Sequence, residues 1–319
     1  MTIKCSALLL GLDGGGTKTD AVLSDGAGKV IARAAGGATG FTGIPRPEAE
    51  RRLKTVLEQV LRDVGGLTAA IRGVYAGVAG CGLPVIAQEY RAYLKSILPG
   101  AEHVEAGSDA VNALNAGAGV GDGIIAIAGT GACIYYRKNG RMTRISGWGY
   151  LLGDEGSGFD LGRRALAAAL KALDGRSENT VMVKMLEKYA GCSLADWVPS
   201  IYAGDAKRMI ASAAPVLIRA AEKGDPEAKK ELDTAADGMA NAIACALKAC
   251  PVPSVVLGGS VWKSRLYTET VHAHLGENAA FVRPDVPPVL GAVLQAAVLA
   301  GIPADDEFTD SLASGLAEG

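Results

Sequence analysis

Histidine and closely paired cysteine are what this sequence has least of. Three histidines occur in 319 residues, and the six cysteines, at 5, 81, 133, 192, 245 and 250, nowhere form a CxxC pair. A structural zinc site, which needs such ligands at short spacing, is therefore not expected. An excess of one charge is missing too: 32 Lys and Arg against 34 Asp and Glu leave −2, without a basic cluster. Nothing in that balance points to nucleic acid or to an acidic membrane surface. No apolar run reaches the roughly 18 residues of a membrane-spanning helix. Lys4 and the brief apolar run after it lead into an aspartate and a glycine turn, not into a small-residue cleavage site. They read as a buried first strand rather than a signal peptide. Cys5 and Cys133 fall within apolar strands, where a thiol packs as a small hydrophobe, and this fits a reducing cytoplasm.

What the chain does have is apolar mass and glycine. Hydrophobic residues make up 49% of it, enough for a sizeable core and two domains. Two turns stand out. Leu8-Leu9-Leu10-Gly11-Leu12-Asp13-Gly14-Gly15-Gly16-Thr17-Lys18-Thr19-Asp20 runs into Ala21-Val22-Leu23, and Ile124-Ile125-Ala126-Ile127-Ala128-Gly129-Thr130-Gly131 runs into Ala132-Cys133-Ile134. Each reads as strand, tight turn, strand. Glycines let backbone N–H groups approach an anion, and a nest of such groups binds phosphate. Two such hairpins suggest a duplicated device gripping a polyphosphate from two sides.

The elements alternate. Val30–Ala34 reads as a third strand, and Gly36–Gly43 as a loop. Pro45 and Pro47 open a helix to about Val64, with Leu53, Val56, Leu57, Val60 and Leu61 on one face and Gly65-Gly66 ending it. Ile71–Val78 is a buried strand, followed by a helix to about Leu98 and a short strand at 104–106. Asp109 is placed to cap the helix that starts near Ala110. Past the second hairpin, segments near 162–173, 178–190, 205–223 and 226–250 suit helices. Val255–Leu257 is a strand, and Val289–Ala300 is a last apolar helix. Hairpins and β/α units that occur twice, with a helical insert in the second half, argue for an α/β fold with mixed sheets.

The first turn fails the better-known glycine patterns. A Walker loop needs GxxxxGK[ST], and Thr17 stands where the lysine belongs; a dinucleotide loop needs a third glycine where Thr19 lies, and a helix where a strand follows. What remains is a hairpin turn with Asp13 at the strand end, able to hold Mg²⁺ directly or through water. Thr17 and Lys18 are placed to reach phosphate oxygens.

The Asp-Gly-Gly-Gly-Thr-Lys-Thr turn, Gly107-Ser108-Asp109-Ala110 and the Ala-Gly-Thr-Gly turn resemble the superfamily of sugar kinases and actin. Within it, Gly147-Trp148-Gly149-Tyr150-Leu151-Leu152-Gly153-Asp154-Glu155-Gly156-Ser157-Gly158 resembles the BadF/BadG/BcrA/BcrD ATPase family, in its N-acetylglucosamine and glucosamine kinase branch. Gly258-Gly259-Ser260-Val261-Trp262 and the Pro288-Val289-Leu290-Gly291-Ala292 segment extend the likeness over nearly the whole chain. The resemblance implies two ribonuclease-H-like, actin-like ATPase domains with a cleft between them: 1–115 plus 290–319, and 116–289. It implies ATP and Mg²⁺ as cofactors and a homodimer. It places Asp13, Gly14, Gly15, Gly16, Thr17 and Lys18 in the first phosphate turn, with Asp13 toward the metal. Gly129, Thr130 and Gly131 form the second turn, and Gly258, Gly259 and Ser260 lie near the adenosine. Asp109 is the implied general base, and Trp148, Gly149 and Asp154 are implied sugar contacts. A hydroxyl, the one at C6, is the implied acceptor.

The likeness is incomplete at one position. Gly40 stands where the family's N-acetylglucosamine kinases carry a sugar-contacting asparagine, leaving Thr39 or Thr42 as substitutes and the identity of the hexose open. Two other readings stand beside the kinase. An activator ATPase coupling hydrolysis to electron transfer in a CoA-ester dehydratase or reductase system would need cysteines clustered for an iron–sulfur centre, and no pair here looks like one. A sugar sensor without turnover would have no use for Asp109. Trp262 is read as core.

Overall fold

The computed structural model describes residues 7–62, 71–276 and 279–317. Cys5 and the Gly65-Gly66 helix terminator lie outside them. The chain divides into two compact units, one of residues 1–121 with 284–319 and one of residues 122–283.

In the first unit the strands are β1 (Leu8–Gly14), β2 (Lys18–Asp25) and β3 (Val30–Gly37). Then come α1 (Arg46–Val60), β4 (Ile71–Val78), α2 (Pro84–Ile97), β5 (His103–Gly107) and α3 (Asp109–Ala118). The sheet order is β3-β2-β1-β4-β5, with β1–β2 and β2–β3 antiparallel and β1–β4 and β4–β5 parallel. Period-two alternation sorts β1 cleanly. Leu8, Leu10 and Leu12 join Leu53, Val56 and Leu57 of α1 and Tyr90 and Leu94 of α2 in one core, while Leu9 points to the opposite face.

The second unit repeats the scheme. Its strands are β6 (Gly123–Ala128), β7 (Ala132–Lys138) and β8 (Arg141–Arg144). Helices follow: α4 (Gly158–Leu173), α5 (Met182–Ala190), α6 (Leu194–Ala203), α7 (Ala206–Ala211), α8 (Ala214–Glu222) and α9 (Pro226–Ala249). After β9 (Ser254–Gly258), α10 (Arg265–Leu275) and β10 (Ala280–Val282), the chain returns to the first unit as α11 (Val289–Leu299) and α12 (Asp306–Ala317). The second sheet runs β10-β9-β6-β7-β8, which is the first sheet's order read backwards with equivalent antiparallel and parallel pairings. This is the duplicated α/β architecture that the two hairpins suggest.

Several elements differ from the sequence reading. α1 ends at Val60, short of Val64. The span 205–223 is two helices, because Pro215 lacks an N–H and sits in the first turn of α8, where no such donor is needed. α6 is an additional helix, capped by Ser193, whose hydroxyl accepts from the Asp196 N–H, and it tolerates Pro199 within its length. β8, β10 and α12 are also additional, so α11 is not the last helix. The cap of α3 is Ser108, whose Oγ accepts the Ala110 N–H at 3.2 Å, and Asp109 is the first helical residue. Trp262 is core, with its indole N–H donating to the Ala126 carbonyl at 3.0 Å. No disulfide joins the five described cysteines, and Cys133 lies in β7 as read. Among the described residues no helix is long and apolar enough to cross a membrane.

Candidate functional site

In the first unit, Asp13 closes β1 and Asp109 opens α3, and one side chain ties the two ends together. Asn112 lies one turn after Asp109, on the same helical face. Its fully buried amide donates to Asp13 Oδ1 at 2.7 Å and reaches the carbonyls of Leu12 and Gly77 at 3.2 and 3.1 Å. Gly77 has to be glycine, because a Cβ there would lie 2.2 Å from Asn112 Oδ1. That oxygen is buried with no hydrogen-bond partner among the described residues. Burial pushes the Asp13 carboxyl up to about 6; the Asn112 hydrogen bond opposes this, and the negative fields of Asp109 and Asp20 add to it. Burial also raises the Asp109 carboxyl, against hydrogen bonds from Ser108 and nearby backbone amides. Ser108 Oγ donates to Asp109 Oδ1 over a long 3.3 Å.

The β1–β2 turn is closed by the Gly15 N–H donating to the Lys18 carbonyl at 2.9 Å, while the N–H groups of Gly16 and Thr17 form no backbone bond among the described residues. Gly16, Thr17 and Lys18 are exposed. The Lys18 ammonium is 2.6 Å from Asp20 Oδ2, so its charge is largely neutralised locally. Thr39 is placed differently from a sugar contact. It is fully buried, accepts from the Tyr90 hydroxyl at 2.9 Å and bonds Thr19 at 2.9 Å, so its hydroxyl is spent inside the core.

In the second unit the β6–β7 turn lies at the corresponding place in its sheet but closes over a shorter span. The Gly129 N–H donates to the Gly131 carbonyl at 2.9 Å, and the N–H groups of Thr130 and Gly131 form no backbone bond among the described residues. The first amides of α4 fix this turn, with Gly158 and Phe159 donating to the carbonyls of Gly129 and Thr130 at 2.7 and 3.0 Å. Gly258 ends β9, and Gly259 and Ser260 follow it alongside. Gly259 has φ +99°, and a Cβ on it would meet the Ala128 carbonyl at 2.4 Å.

The 147–158 stretch is a glycine-jointed loop whose apolar residues face out. Trp148 is 68% exposed, Leu151 77% and Leu152 85%. The Arg144 guanidinium stacks 4.1 Å from the Trp148 ring centre and donates to the Gly147 carbonyl at 3.2 Å. Asp154 is buried and left-handed at φ 58°, a conformation Asp tolerates and functional loops often hold. Its Oδ1 accepts the Gly149 N–H at 3.0 Å, and its Oδ2 would lie 2.7 Å from a Cβ on Gly131. Gly131 thus gives the carboxylate its place beside the turn. Burial raises the Asp154 carboxyl, opposed by the Gly149 amide and the nearby Lys207 charge.

Asp13, Asn112 and Asp109 therefore form one cluster in the first unit; Thr130, Gly131 and Asp154 form another in the second, with Gly259 packed behind its turn. Asn112, Arg144 and Lys207 are absent from the sequence reading. Arg144 and Lys207 belong to elements whose approach leaves no periodic trace.

The profile of the BadF/BadG/BcrA/BcrD ATPase family matches residues 10–296. Over 234 residues the chain is 33% identical to a Clostridium acetobutylicum protein named N-acetylmuramic acid/N-acetylglucosamine kinase, covering 72% of this chain and 75% of that one. It is 25% identical over 311 residues to the N-acetyl-D-glucosamine kinase of Dictyostelium discoideum, covering 91% and 97% of the two chains. A solved Chromobacterium violaceum structure, provisionally named an N-acetylglucosamine kinase, superposes with a TM-score of 0.68 at 25% identity, covering 92% of this chain and 99% of that one.

Proposed function

The chain belongs to the BadF/BadG/BcrA/BcrD ATPase family, and from that premise we propose an ATP-dependent kinase that transfers the γ-phosphate to the 6-hydroxyl of an amino sugar such as N-acetylglucosamine or glucosamine. The observation that carries this reading is a glycine turn with two N–H groups that form no backbone bond among the described residues, set between corresponding antiparallel strands of two topologically equivalent sheets. Phosphoryl transfer asks the protein mainly to position groups and neutralise charge, and paired amide turns suit a polyphosphate.

Asp109 serves as general base. Burial raises its proton affinity toward the working pH, which favours accepting a hydroxyl proton. Trp148 and Gly149 present a ring face and a backbone to the pyranose, and Asp154 accepts from its hydroxyls. Gly129-Thr130-Gly131 and Gly14-Gly15-Gly16-Thr17-Lys18 serve the phosphates, and Gly258-Gly259-Ser260 the adenosine side.

Asp13 fits Mg²⁺. It is a carboxylate among further negative charge, costly to leave ionised without a cation, and Mg²⁺ is commonly held through one or two carboxylates plus substrate phosphates. When bound there, the ion supplies charge neutralisation to phosphate oxygens. Asn112 holds the Asp13 carboxylate in place for it.

A coupled ADP-release assay tests the reading, over N-acetylglucosamine, glucosamine, glucose, N-acetylmannosamine, N-acetylmuramate and a sugar-free control. Stimulation by an amino sugar supports it, and equal hydrolysis in every well removes it. Asp109→Asn should cut transfer by about 10²–10⁴ with sugar affinity kept within a few-fold.

A further inference from the structure

A cavity of about 300 Å³ opens in the second unit beside the β6–β7 turn, walled on that side by Gly129 and Thr130. Ser260 and Val261, just after β9, form another wall, and α8 contributes Pro215 and Ile218. An apolar slot of this kind next to an amide turn suits a nucleobase next to its phosphates.

The tail of such a ligand carries several negative charges, and the turn itself brings no cation. Asp154, packed against Gly131, adds further negative potential there. The equivalent turn of the first unit does hold Lys18, but Asp20 takes up its charge. Among the described residues the cavity lining has one charged member, Arg208 of α7. Its backbone N–H is fixed by the Asp205 side chain at 3.0 Å, whereas its guanidinium forms no ion pair or hydrogen bond among the described residues. The neighbouring Lys207, about 100° round the helix, does not line the cavity; its charge acts on Asp154, and its Nζ lies 5.4 Å from the Tyr150 ring centre. A guanidinium fork matches phosphate oxygens bidentately, which an ammonium does not.

We propose that Arg208 is a nucleotide-binding residue whose guanidinium pairs with phosphate oxygens of a nucleotide seated in this cavity. The proposal rests on the ATP-dependent reading and adds to it a guanidinium beside the turn of the second unit.

Calorimetric titration of ADP and of adenosine into the full chain tests it, comparing wild type with Arg208→Ala, Arg208→Lys and Arg219→Ala. Arg219 is an exposed arginine on α8 that does not line the cavity, so its loss controls for net charge. The expected result is an ADP Kd raised about tenfold or more in Arg208→Ala, partly recovered in Arg208→Lys. Adenosine affinity stays unchanged, and Arg219→Ala stays like wild type. Equal ADP affinity in wild type and Arg208→Ala overturns the proposal. So does a parallel loss for ADP and adenosine, which would make Arg208 a base-stacking or structural residue. A wild-type protein that binds no adenine nucleotide would instead sink the ATP-dependent reading on which the proposal stands.

Discussion

At the residue scale, Asp13 carries the clearest conflict between folding and function. Its carboxyl is raised from 3.8 to about 6, so the native state holds a proton that the unfolded chain has already released between those values. Stability therefore falls as pH rises through that window, and the deficit is fully present above about 6. Asp13→Asn keeps an oxygen for the Asn112 amide and removes the charge. It should stabilise the protein by about 2–3 kcal/mol at pH 7.5 and abolish Mg²⁺-dependent turnover. The gain should vanish near pH 4. Urea midpoints at the two pH values check this, and an equal gain at both would assign the effect to packing rather than charge. Asp13 was singled out in the sequence by its place before a run of glycines, and Asp109 by the Gly107-Ser108-Asp109-Ala110 stretch ahead of a helix. Asn112 was not, because what identifies it is Gly77, a strand glycine 35 positions away whose missing Cβ makes room for its amide. The partners of Thr39 were hidden for the same kind of reason: its hydroxyl meets Tyr90, 51 positions away, and Thr19.

At the element scale, the crossing of α3 and α11 sets where Asp109 and Asn112 stand. Gly291, in the first turn of α11, lies against α3 so closely that a Cβ would be 1.9 Å from the Asn112 carbonyl oxygen. Asn115 reinforces the contact, its buried amide donating to the Gly291 carbonyl at 3.0 Å and to Gln295 Oε1 at 3.1 Å. In an open helix Gly→Ala would be favourable, but here the two helices must part. Gly291→Ala should destabilise by about 3 kcal/mol and lower kcat along with stability, since α3 carries the proposed base. A variant with wild-type urea midpoint would refute that close crossing. Sequence periodicity captured α11 and most strands because their apolar patterns are long and regular. It misplaced the α6–α8 region because short alanine-rich stretches look helical throughout, and only Pro215 and the caps at Ser193 and Asp205 divide them. The cap of α3 was shifted by one residue, since Ser108 and Asp109 are both good N-cap types and backbone geometry, not residue type, decides between them.

At the scale of the whole molecule, the two units share a topology but not a chain path. Residues 122–283 form the second unit from one continuous stretch, whose core joins Ile124, Ala126 and Ile134 of the sheet to α4, α8, α9 and α10. The first unit is built from two stretches. Leu9 of β1, Val22 of β2 and Tyr75 of β4 are covered by Val289, Val293, Leu294 and Ala297 of α11, and Phe308 and Leu312 of α12 extend that cluster. A sheet with one face bare exposes apolar area that costs about 25 cal/mol for each Å² left in water, and a marginally stable domain cannot absorb several such side chains. Residues 122–283 expressed alone should therefore fold and unfold cooperatively, with a sigmoidal urea transition by circular dichroism. Residues 1–121 alone should bind a dye that reports exposed apolar surface and show no such transition. Adding a peptide of residues 284–319 should restore it. A folded 1–121 fragment would show that α11 and α12 decorate the first unit rather than complete it, and a disordered 122–283 fragment would show that the continuous unit also depends on the rest of the chain.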